Sequence, residues 1–220
     1  MNKKEVEIVF SDDEEKGGKE KVQKYFNRYL NLEYYPNFLS PTESLKLFET
    51  LEKEVPFNFR ITKNGKPYNQ RVSVSFGEEN ISYAFGSKKK EGKDKKCLDW
   101  NSFPIIIKYK EVISSLIEQK FNYCVVQRYP PGKGIKKHRD REIATGTVIA
   151  GLSVGAKRTL VMRPPAYLSN QLETVKLELN PGSLYLFNPP TNDYYTHEII
   201  PPSTEKEDGV RISLTFRLSL

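Results

Sequence analysis

The two histidines of the chain are the side chains best suited to bind a metal. The 220 residues contain only His138 and His197, and Asp140 follows His138 by two positions. In an extended segment residues two apart point to the same side, so this imidazole and carboxylate would converge, and His197, after a predicted strand, could add a third ligand. Two histidines and one carboxylate form the facial triad of non-haem iron(II) sites, with coordination positions left open. The structural alternatives are an exposed His138 and a packed, hydrogen-bonded His197.

The C-terminal segment 211–217 alternates between polar and apolar side chains. One face carries two arginines and two hydroxyls, the other three apolar residues: Arg211, Ser213, Thr215 and Arg217 against Ile212, Leu214 and Phe216. Buried charges must be paired, and arginine pairs carboxylates with two parallel hydrogen bonds. Two guanidinium groups on an inward face could therefore bracket a small dianion from its two ends. The alternative is an exposed edge strand with solvated arginines.

Two helices are predicted upstream of these motifs. Ser40, Pro41 and Glu43 form a helix start, because serine caps the helix, proline suits its first turn and glutamate completes a capping box. Apolar residues then recur at helical spacing, namely Leu45, Phe48 and Leu51. A second helix is predicted from about residue 104, with one apolar face formed by Ile106, Tyr109, Ile113 and Leu116.

From residue 123 onward the chain is predicted to form one strand after another. The candidate strands are 123–129, 147–154, 158–163, 173–179, 183–187, 194–199 and 211–218. Many short strands without intervening helices indicate a sandwich, barrel or jelly roll. Upstream, residues 57–62, 72–76 and 81–85 also have strand character, and Asn64-Gly65 predicts a hairpin turn of type I′.

Composition restricts the class of protein. The net charge of +7 and the pI near 9.2 favour an anionic partner, of which nucleic acid is the commonest. The two cysteines cannot form a disulfide framework or a cysteine-type zinc site. No apolar run is long enough to span a membrane and the N-terminus lacks a signal-peptide pattern, so we expect a soluble, intracellular monomer. The charge-dense residues 1–30 predict a mobile arm that could be helical over 22–30.

At these motifs the chain resembles the AlkB family of iron(II)- and 2-oxoglutarate-dependent dealkylases. The likeness runs from about residue 32 to the C-terminus. It rests on His138-x-Asp140, the distant His197 and the closing Arg-x-Ser-x-Thr-x-Arg, where the family has Arg-x-Asn-x-Thr-x-Arg. Residues 127–129, Gln-Arg-Tyr, stand where the family has Asn-Arg-Tyr. Segments 182–184, 188–192 and 214–217 resemble the members that repair double-stranded DNA.

The resemblance implies an α+β, mainly β fold, in which a double-stranded β-helix (jelly roll) carries N-terminal helices and a β-hairpin lid for nucleotide recognition. Residues 31–220 would be a single domain, with the lid at about 55–100 and the catalytic core at about 121–220. Fe(II) would be held by His138, Asp140 and His197, with Arg211 on the distal carboxylate of 2-oxoglutarate. The full cosubstrate pocket would be formed by Gln127, Tyr129, Arg211, Ser213, Thr215 and Arg217.

The resemblance also implies a reaction and a set of substrate-binding residues. O2 and 2-oxoglutarate would give succinate and CO2 while an N-alkyl carbon is hydroxylated and lost as formaldehyde. The base must be flipped out of a duplex, and Phe85, which shares a strand face with Tyr83, would stack on it opposite His138. Glu142 would contact the base edge, and Arg71 would lie near the damaged strand. Two lysine-rich segments could contact phosphates, namely 63–66 and 88–96.

The sequence therefore favours oxidative dealkylation of bases of the 1-methyladenine and 3-methylcytosine type, in DNA rather than RNA. An RNA demethylase and a protein or lipid hydroxylase are alternatives on the same scaffold. A nucleic-acid-binding module with a degenerate metal site is a further alternative. The intact triad and arginine pair argue against a degenerate site.

Overall fold

The computed structural model describes residues 7–12, 21–79, 81–83, 95–141, 143–202 and 209–219. The helices in these residues are α1 (Pro41–Glu54), α2 (Pro104–Ile117) and the short α3 (Thr191–Tyr194). The strands are β1 (Glu7–Asp12), β2 (Lys21–Asn27), β3 (Leu30–Tyr35), β4 (Val72–Gly77), β5 (Ser82–Tyr83), β6 (Lys95–Lys96), β7 (Leu98–Asp99), β8 (Tyr123–Tyr129), β9 (Ile135–His138), β10 (Ile149–Gly155), β11 (Arg158–Arg163), β12 (Val175–Leu179), β13 (Ser183–Asn188), β14 (Thr196–Ile200) and β15 (Arg211–Arg217). None of the helices in this part of the chain is long and apolar enough to cross a lipid bilayer.

Two facing sheets form the body of the fold. The large sheet has the order β1-β2-β3-β13-β10-β15-β8-β4-β7, and the small sheet has the order β12-β11-β14-β9. Apolar side chains from both sheets share one buried cluster, which includes Tyr129 and Phe187 of the large sheet and Leu160 and Ile199 of the small one. This arrangement confirms the predicted jelly roll.

α1 and α2 cover the outer face of the large sheet, where a second buried cluster contains Leu47, Leu51 and Ile106 together with Leu214 of β15. α1 begins with the predicted capping box, since Ser40 accepts from the Glu43 amide and the Glu43 carboxylate accepts from the Ser40 amide. The apolar face predicted for α1 was wrong at one residue.

Leu45 was expected to share the apolar face of α1 with Phe48 and Leu51, but it is 58% exposed. Leu47 is 1% exposed and belongs to the buried face instead. The reason is geometric: residues 44, 47, 48 and 51 follow the helical period on the side that meets the sheet, and residue 45 lies about 100° away from residue 44.

β15 lies between β10 and β8 in the interior of the large sheet. All seven of its residues are buried. Its apolar side chains pack under the helices, and its polar side chains face the small sheet. The interpretation of residues 211–217 as an exposed edge strand is therefore excluded.

The turn at residues 62–66 differs from the predicted hairpin. Gly65 has a φ of 77°, whereas Asn64 is not among the described residues with positive φ, so the turn is not of type I′. The Gly65 amide donates to the Thr62 carbonyl at 3.0 Å, and the flanking residues make one isolated bridge, Ile61 to Pro67. This is a three-residue loop with glycine at the left-handed position, for which one positive φ is sufficient.

The N-terminal region contains strands where a helix was expected. β1, β2 and β3 form an antiparallel meander at one edge of the large sheet, and Val22 is 1% exposed. The helix predicted over 22–30 is therefore wrong, because pairing with β3 satisfies the backbone of β2 and no apolar stripe supports a helix there. The division of the chain into an arm and a domain at residue 30 stays a prediction.

Candidate metal centre and cosubstrate pocket

Two adjacent strands of the small sheet bring the two histidines together. His138 ends β9 and lies directly opposite His197 of β14, with ring centroids 4.3 Å apart. Asp140 follows in the next loop, and its Oδ1 lies 3.7 Å from His138 Nε2 and 3.9 Å from His197 Nε2. One ligand atom from each residue lies within 4.8 Å of the others. A metal ion bound by all three would be held on one side only, as in a facial triad.

The protonation states of the histidines suit metal binding. Burial lowers the pKa of His197 to about 4, against the opposing attraction of Asp140, so this ring is neutral at neutral pH. His138 Nδ1 lies 2.8 Å from the Lys136 carbonyl, which can only accept. Nδ1 therefore carries the proton, and the lone pair of Nε2 is directed to the site. A hydrogen bond of this kind fixes the tautomer of a ligating histidine.

Arg217 orients the carboxylate of Asp140. Its Nη2 contacts Oδ2 at 2.6 Å, which leaves Oδ1 toward the histidines. Burial by itself raises the pKa of Asp140, but Arg217, through its charge and its hydrogen bond, leads the opposing interactions that hold this pKa below its ordinary value. The carboxylate is thus ionised and directed to the metal through one oxygen. Sequence reasoning had assigned Arg217 to the cosubstrate, and the structure places its guanidinium on a metal ligand.

The loop that carries Asp140 is held by α3. Asn192 accepts from the Asp140 amide and donates to the Asp140 carbonyl, each at 3.0 Å. Arg139 adds a bond from Nη1 to the Asp193 carbonyl at 2.5 Å. These contacts position the Asp140 backbone by bonds across 52 residues of sequence.

The cosubstrate pocket lies beside the triad, on the inner face of the large sheet. The register of β15 against β8 places Arg211 opposite Tyr129 and Ser213 opposite Gln127. The six residues predicted for this pocket line one cavity together with the three metal ligands. The space between atoms in and in front of this cavity amounts to about 310 Å³, part of which is open to solvent.

Arg211 is the cation that a dicarboxylate would meet in this pocket. It is 1% exposed, its Nε donates to Ser153 Oγ at 2.9 Å, and its guanidinium lies 5.0 Å from the centroid of Tyr129. Nη1 is buried, and no group in the described part of the chain accepts a hydrogen bond from it. A buried cation needs a partner. The pocket therefore fits an anion such as the distal carboxylate of 2-oxoglutarate.

Gln127 bonds within the protein in this pocket. The Tyr129 hydroxyl donates to Gln127 Oε1 at 2.6 Å. Ser213 and Thr215 are 2% and 5% exposed, and both line the cavity. Gln127, which stands where the family has asparagine, thus reaches the hydroxyl of Tyr129 on the same strand.

The predicted substrate residues are described only in part. Arg71 is half-buried and donates to Ser73 Oγ at 3.1 Å. Its guanidinium lies 5.9 Å from the ring centroid of Tyr129, which lines the cosubstrate pocket. The backbone of Tyr83 lies in β5, but its side chain is outside the described residues. Phe85, Glu142 and most of the 88–96 segment also lie outside them.

Three residues at the site were missed by sequence reasoning, namely Ser153, Tyr185 and Asn192. Ser153 and Tyr185 lie in strands whose two faces are both buried, so no polar and apolar alternation distinguishes the pocket face from the core. Asn192 lies in the noted segment 188–192, but sequence spacing does not show that it reaches residue 140.

Comparison with known proteins agrees with this site. Residues 31–217 match the family model of the 2OG-Fe(II) oxygenase superfamily. The chain is 32% identical to DNA oxidative demethylase ALKBH2 of Bos taurus, over 86% of this chain and 68% of that protein. It is 31% identical to the Homo sapiens protein of the same name, over 83% of this chain and 71% of that protein.

The fold also has a solved relative. The structure of OsALKBH1 superposes with a TM-score of 0.55 and 13% sequence identity, over 88% of this chain and 100% of that one. That structure agrees with the jelly-roll fold, and the family match agrees with the triad described above. The chain therefore belongs to the 2OG-Fe(II) oxygenase superfamily, and within it to the AlkB-like enzymes.

Proposed function

We propose that this enzyme oxidatively removes alkyl groups from N-alkylated bases in DNA, with 1-methyladenine and 3-methylcytosine as representative substrates. One observation carries the proposal. A triad of His138, Asp140 and His197 adjoins an arginine-lined pocket in a chain about 31% identical, over most of its length, to proteins named DNA oxidative demethylases. We also infer that the enzyme acts as a monomer in the repair of alkylated DNA, with DNA preferred to RNA.

The enzyme uses Fe(II), 2-oxoglutarate and O2. Bound Fe(II) supplies the oxidation chemistry, which no side chain of the chain provides. His138, Asp140 and His197 would hold the metal, and Arg217 keeps the carboxylate ionised and turned toward it. Arg211 would pair the distal carboxylate of 2-oxoglutarate, so that the cosubstrate lies beside the metal and is decarboxylated to succinate and CO2.

On the substrate side, the chain has to position the alkyl carbon and exclude water. Once that carbon is hydroxylated, the N-hydroxymethyl group breaks down to formaldehyde and the unmodified base. This step needs no dedicated general acid or base. The burial of Asp140 and His197 keeps bulk water away from the inner side of the site, which favours the coupled reaction.

The surface around His138 is suited to a polyanion. Lys136 and Lys137 precede His138 in β9 and are exposed, and Arg141 is exposed just after Asp140. Cations at the mouth of the site would contact phosphates without reading sequence. This placement, together with the net charge of +7, supports a nucleic-acid substrate.

We infer that the base itself is contacted by Phe85 and Glu142, and that Tyr83, two residues before Phe85 in the sequence, is a further substrate-binding residue. Phe85 would stack on the flipped base opposite His138, and Glu142 would contact its edge. Glu142→Gln should reduce activity on cationic lesions more than on neutral ones, because it removes a negative charge and keeps the shape of the side chain. Arg71, whose guanidinium lies 5.9 Å from the ring centroid of Tyr129, would lie near the damaged strand.

A panel of methylated oligonucleotides tests the proposal. Single- and double-stranded DNA and RNA carrying 1-methyladenine or 3-methylcytosine would be incubated with Fe(II), 2-oxoglutarate and O2, and formaldehyde and repaired base would be measured. The expected result is repair of DNA ahead of RNA, abolished in the His138→Ala, His197→Ala double variant. Repair confined to RNA would identify an RNA demethylase. Turnover of 2-oxoglutarate without repair of any oligonucleotide would point to a protein or lipid substrate.

A further inference from the structure

The phenol of Tyr185 reaches the cosubstrate pocket from β13, a strand that is not adjacent to β15. Tyr185 lies on β13, two strands away from β15, and it lines the same cavity as Arg211 and Arg217. The residue is 5% exposed. Neighbouring strands are about 4.8 Å apart, so a side chain on β13 must lean across β10 to reach the inner face of β15.

Gly151 makes this approach possible. It lies on β10, directly between Tyr185 of β13 and Thr215 of β15 in the register of the sheet. A Cβ at residue 151 would lie 2.0 Å from Tyr185 Cζ and 2.4 Å from the Tyr185 hydroxyl oxygen. The tip of the phenol therefore rests on the bare backbone of Gly151, beside the polar residues of β15.

The Tyr185 hydroxyl differs from the Tyr129 hydroxyl in the same pocket. Tyr129 donates its proton to Gln127 at 2.6 Å. Among the described residues, none accepts a hydrogen bond from Tyr185. Burial raises the pKa of Tyr185 to about 12, although the charge of Arg211 opposes the rise, so the phenol keeps its proton at neutral pH. A buried donor without an acceptor is costly unless a ligand supplies one.

Two donors thus belong to residues that line this cavity, Arg211 Nη1 and the Tyr185 hydroxyl. Nη1 is buried without an acceptor among the described residues. Of the charged side chains, Arg211 acts most strongly on the Tyr185 hydroxyl. Both donors suit the same carboxylate. We propose that Tyr185 is a further cosubstrate-binding residue, whose hydroxyl donates a hydrogen bond to the carboxylate that Arg211 pairs.

This assignment rests on the cosubstrate pocket proposed above, and it concerns 2-oxoglutarate rather than the nucleic acid. The Tyr129 hydroxyl donates to Gln127 and is therefore not directed to the cosubstrate. The Tyr185 hydroxyl takes its place as a hydrogen-bond donor to the carboxylate. Its ring also narrows the pocket on the side of β10, so that Gly151 and Tyr185 together determine the length of diacid that fits.

The test measures the dissociation constant of 2-oxoglutarate for the Fe(II)-loaded protein without oxygen, by isothermal titration calorimetry. Tyr185→Phe removes only the hydroxyl, and loss of a hydrogen bond to a charged group should weaken binding about 10- to 100-fold. Its thermal stability without 2-oxoglutarate should not fall, because no residue in the described part of the chain accepts a hydrogen bond from this hydroxyl. Gly151→Ala should weaken binding as well, since the new methyl group displaces the phenol.

Tyr34→Phe is the matched control. Tyr34 lies opposite Tyr185 on β3, is 3% exposed, and its hydroxyl donates to the Glu178 carbonyl rather than to the pocket. This variant should lose stability and bind 2-oxoglutarate as the wild type does. An unchanged dissociation constant in Tyr185→Phe, or equal weakening in Tyr34→Phe, would overturn the proposal.

Arg211→Ala separates the failure of this proposal from that of the pocket. If Arg211→Ala weakens binding and Tyr185→Phe does not, the pocket stands and the role of Tyr185 is wrong. If Arg211→Ala has no effect, the pocket assignment fails, and the role of Tyr185 fails with it. In the double variant the two losses should be less than additive, because both donors hold one carboxylate. Strictly additive losses would assign Tyr185 to a different group and overturn the proposal.

Discussion

Arg211→Met should remove about half or more of the stabilisation that 2-oxoglutarate gives to this enzyme, without unfolding the protein. Methionine has a similar volume and no charge. The wild-type side chain is 1% exposed, and Nη1 has no acceptor in the described residues. The substitution therefore removes a buried cation that only the cosubstrate would pair.

The expected change in the free energy of unfolding without ligand is small. The variant loses the bond to Ser153 at 2.9 Å, worth about 1 kcal/mol, and the contact with the Tyr129 ring at 5.0 Å, worth about 0.5–2 kcal/mol. Against these losses stands relief of the desolvation of an incompletely paired charge, which is of similar or larger size. The terms oppose each other, so stability should stay within about 1 kcal/mol of the wild type.

The substitution has a larger effect on the stabilisation that bound 2-oxoglutarate gives to the protein. At 100 times its dissociation constant, 2-oxoglutarate should stabilise the wild type by about 2.7 kcal/mol. Loss of a charge-assisted pair weakens binding about 10- to 100-fold. At the same concentration the variant should then gain only about 0.4–1.4 kcal/mol.

Denaturant unfolding of the Fe(II)-loaded protein, with and without 2-oxoglutarate under nitrogen, measures both quantities. Arg158→Met is the contrast, because Arg158 is also 1% exposed but donates to the carbonyls of Lys157 at 2.8 Å and Gly209 at 2.7 Å. It should lower stability whether or not 2-oxoglutarate is present. Equal stabilisation of wild type and Arg211→Met by 2-oxoglutarate would refute the placement of a carboxylate at Arg211.

Three further predictions concern the metal and the nucleic acid. The His138→Ala, His197→Ala double variant should lose binding of Co(II) in a spectroscopic titration, and full retention would contradict the triad. Phe85→Ala should lower kcat/KM on 1-methyladenine or 3-methylcytosine by about 10- to 100-fold through lost stacking. Binding of 2-oxoglutarate should be unchanged, and unaltered repair would contradict the base-stacking role. Lys63→Ala and Lys66→Ala should weaken duplex binding for every lesion alike and flatten its salt dependence, whereas a lesion-specific effect measured by fluorescence anisotropy would argue against phosphate contacts.

The metal centre was predictable because its information is local. The spacing of His138 and Asp140 makes their side chains converge within one short segment, and His197 is the only other histidine. The strand Arg211–Arg217 was predictable for the same reason, since alternation along one strand shows which residues share a face. Its polar face was expected to point inward because the three apolar side chains of the opposite face must also be buried, which places the whole strand in the interior of the fold.

Other features depended on contacts that the local pattern does not contain. Residues 22–27 have no strong period, and the edge of β3 made them a strand. Leu45 has a leucine's preference for burial, but the position of the sheet beneath α1 left it exposed. The turn at Gly65 is a three-residue loop closed by the bond from the Thr62 amide to the Lys66 carbonyl at 2.8 Å, and Gly65 has the positive φ that this loop needs.

By itself the sequence identified the side chains that would carry the chemistry: the three candidate metal ligands and the arginines of β15. Only the tertiary structure decided how these side chains are partnered. Arg217 contacts Asp140, and Tyr185 crosses Gly151 to reach the pocket. The reason is physical: partnership across strands depends on register, and register is set by hydrogen bonds between strands far apart in sequence. A shift of one residue in β13 would turn Tyr185 away from the pocket, with no change in the sequence motif.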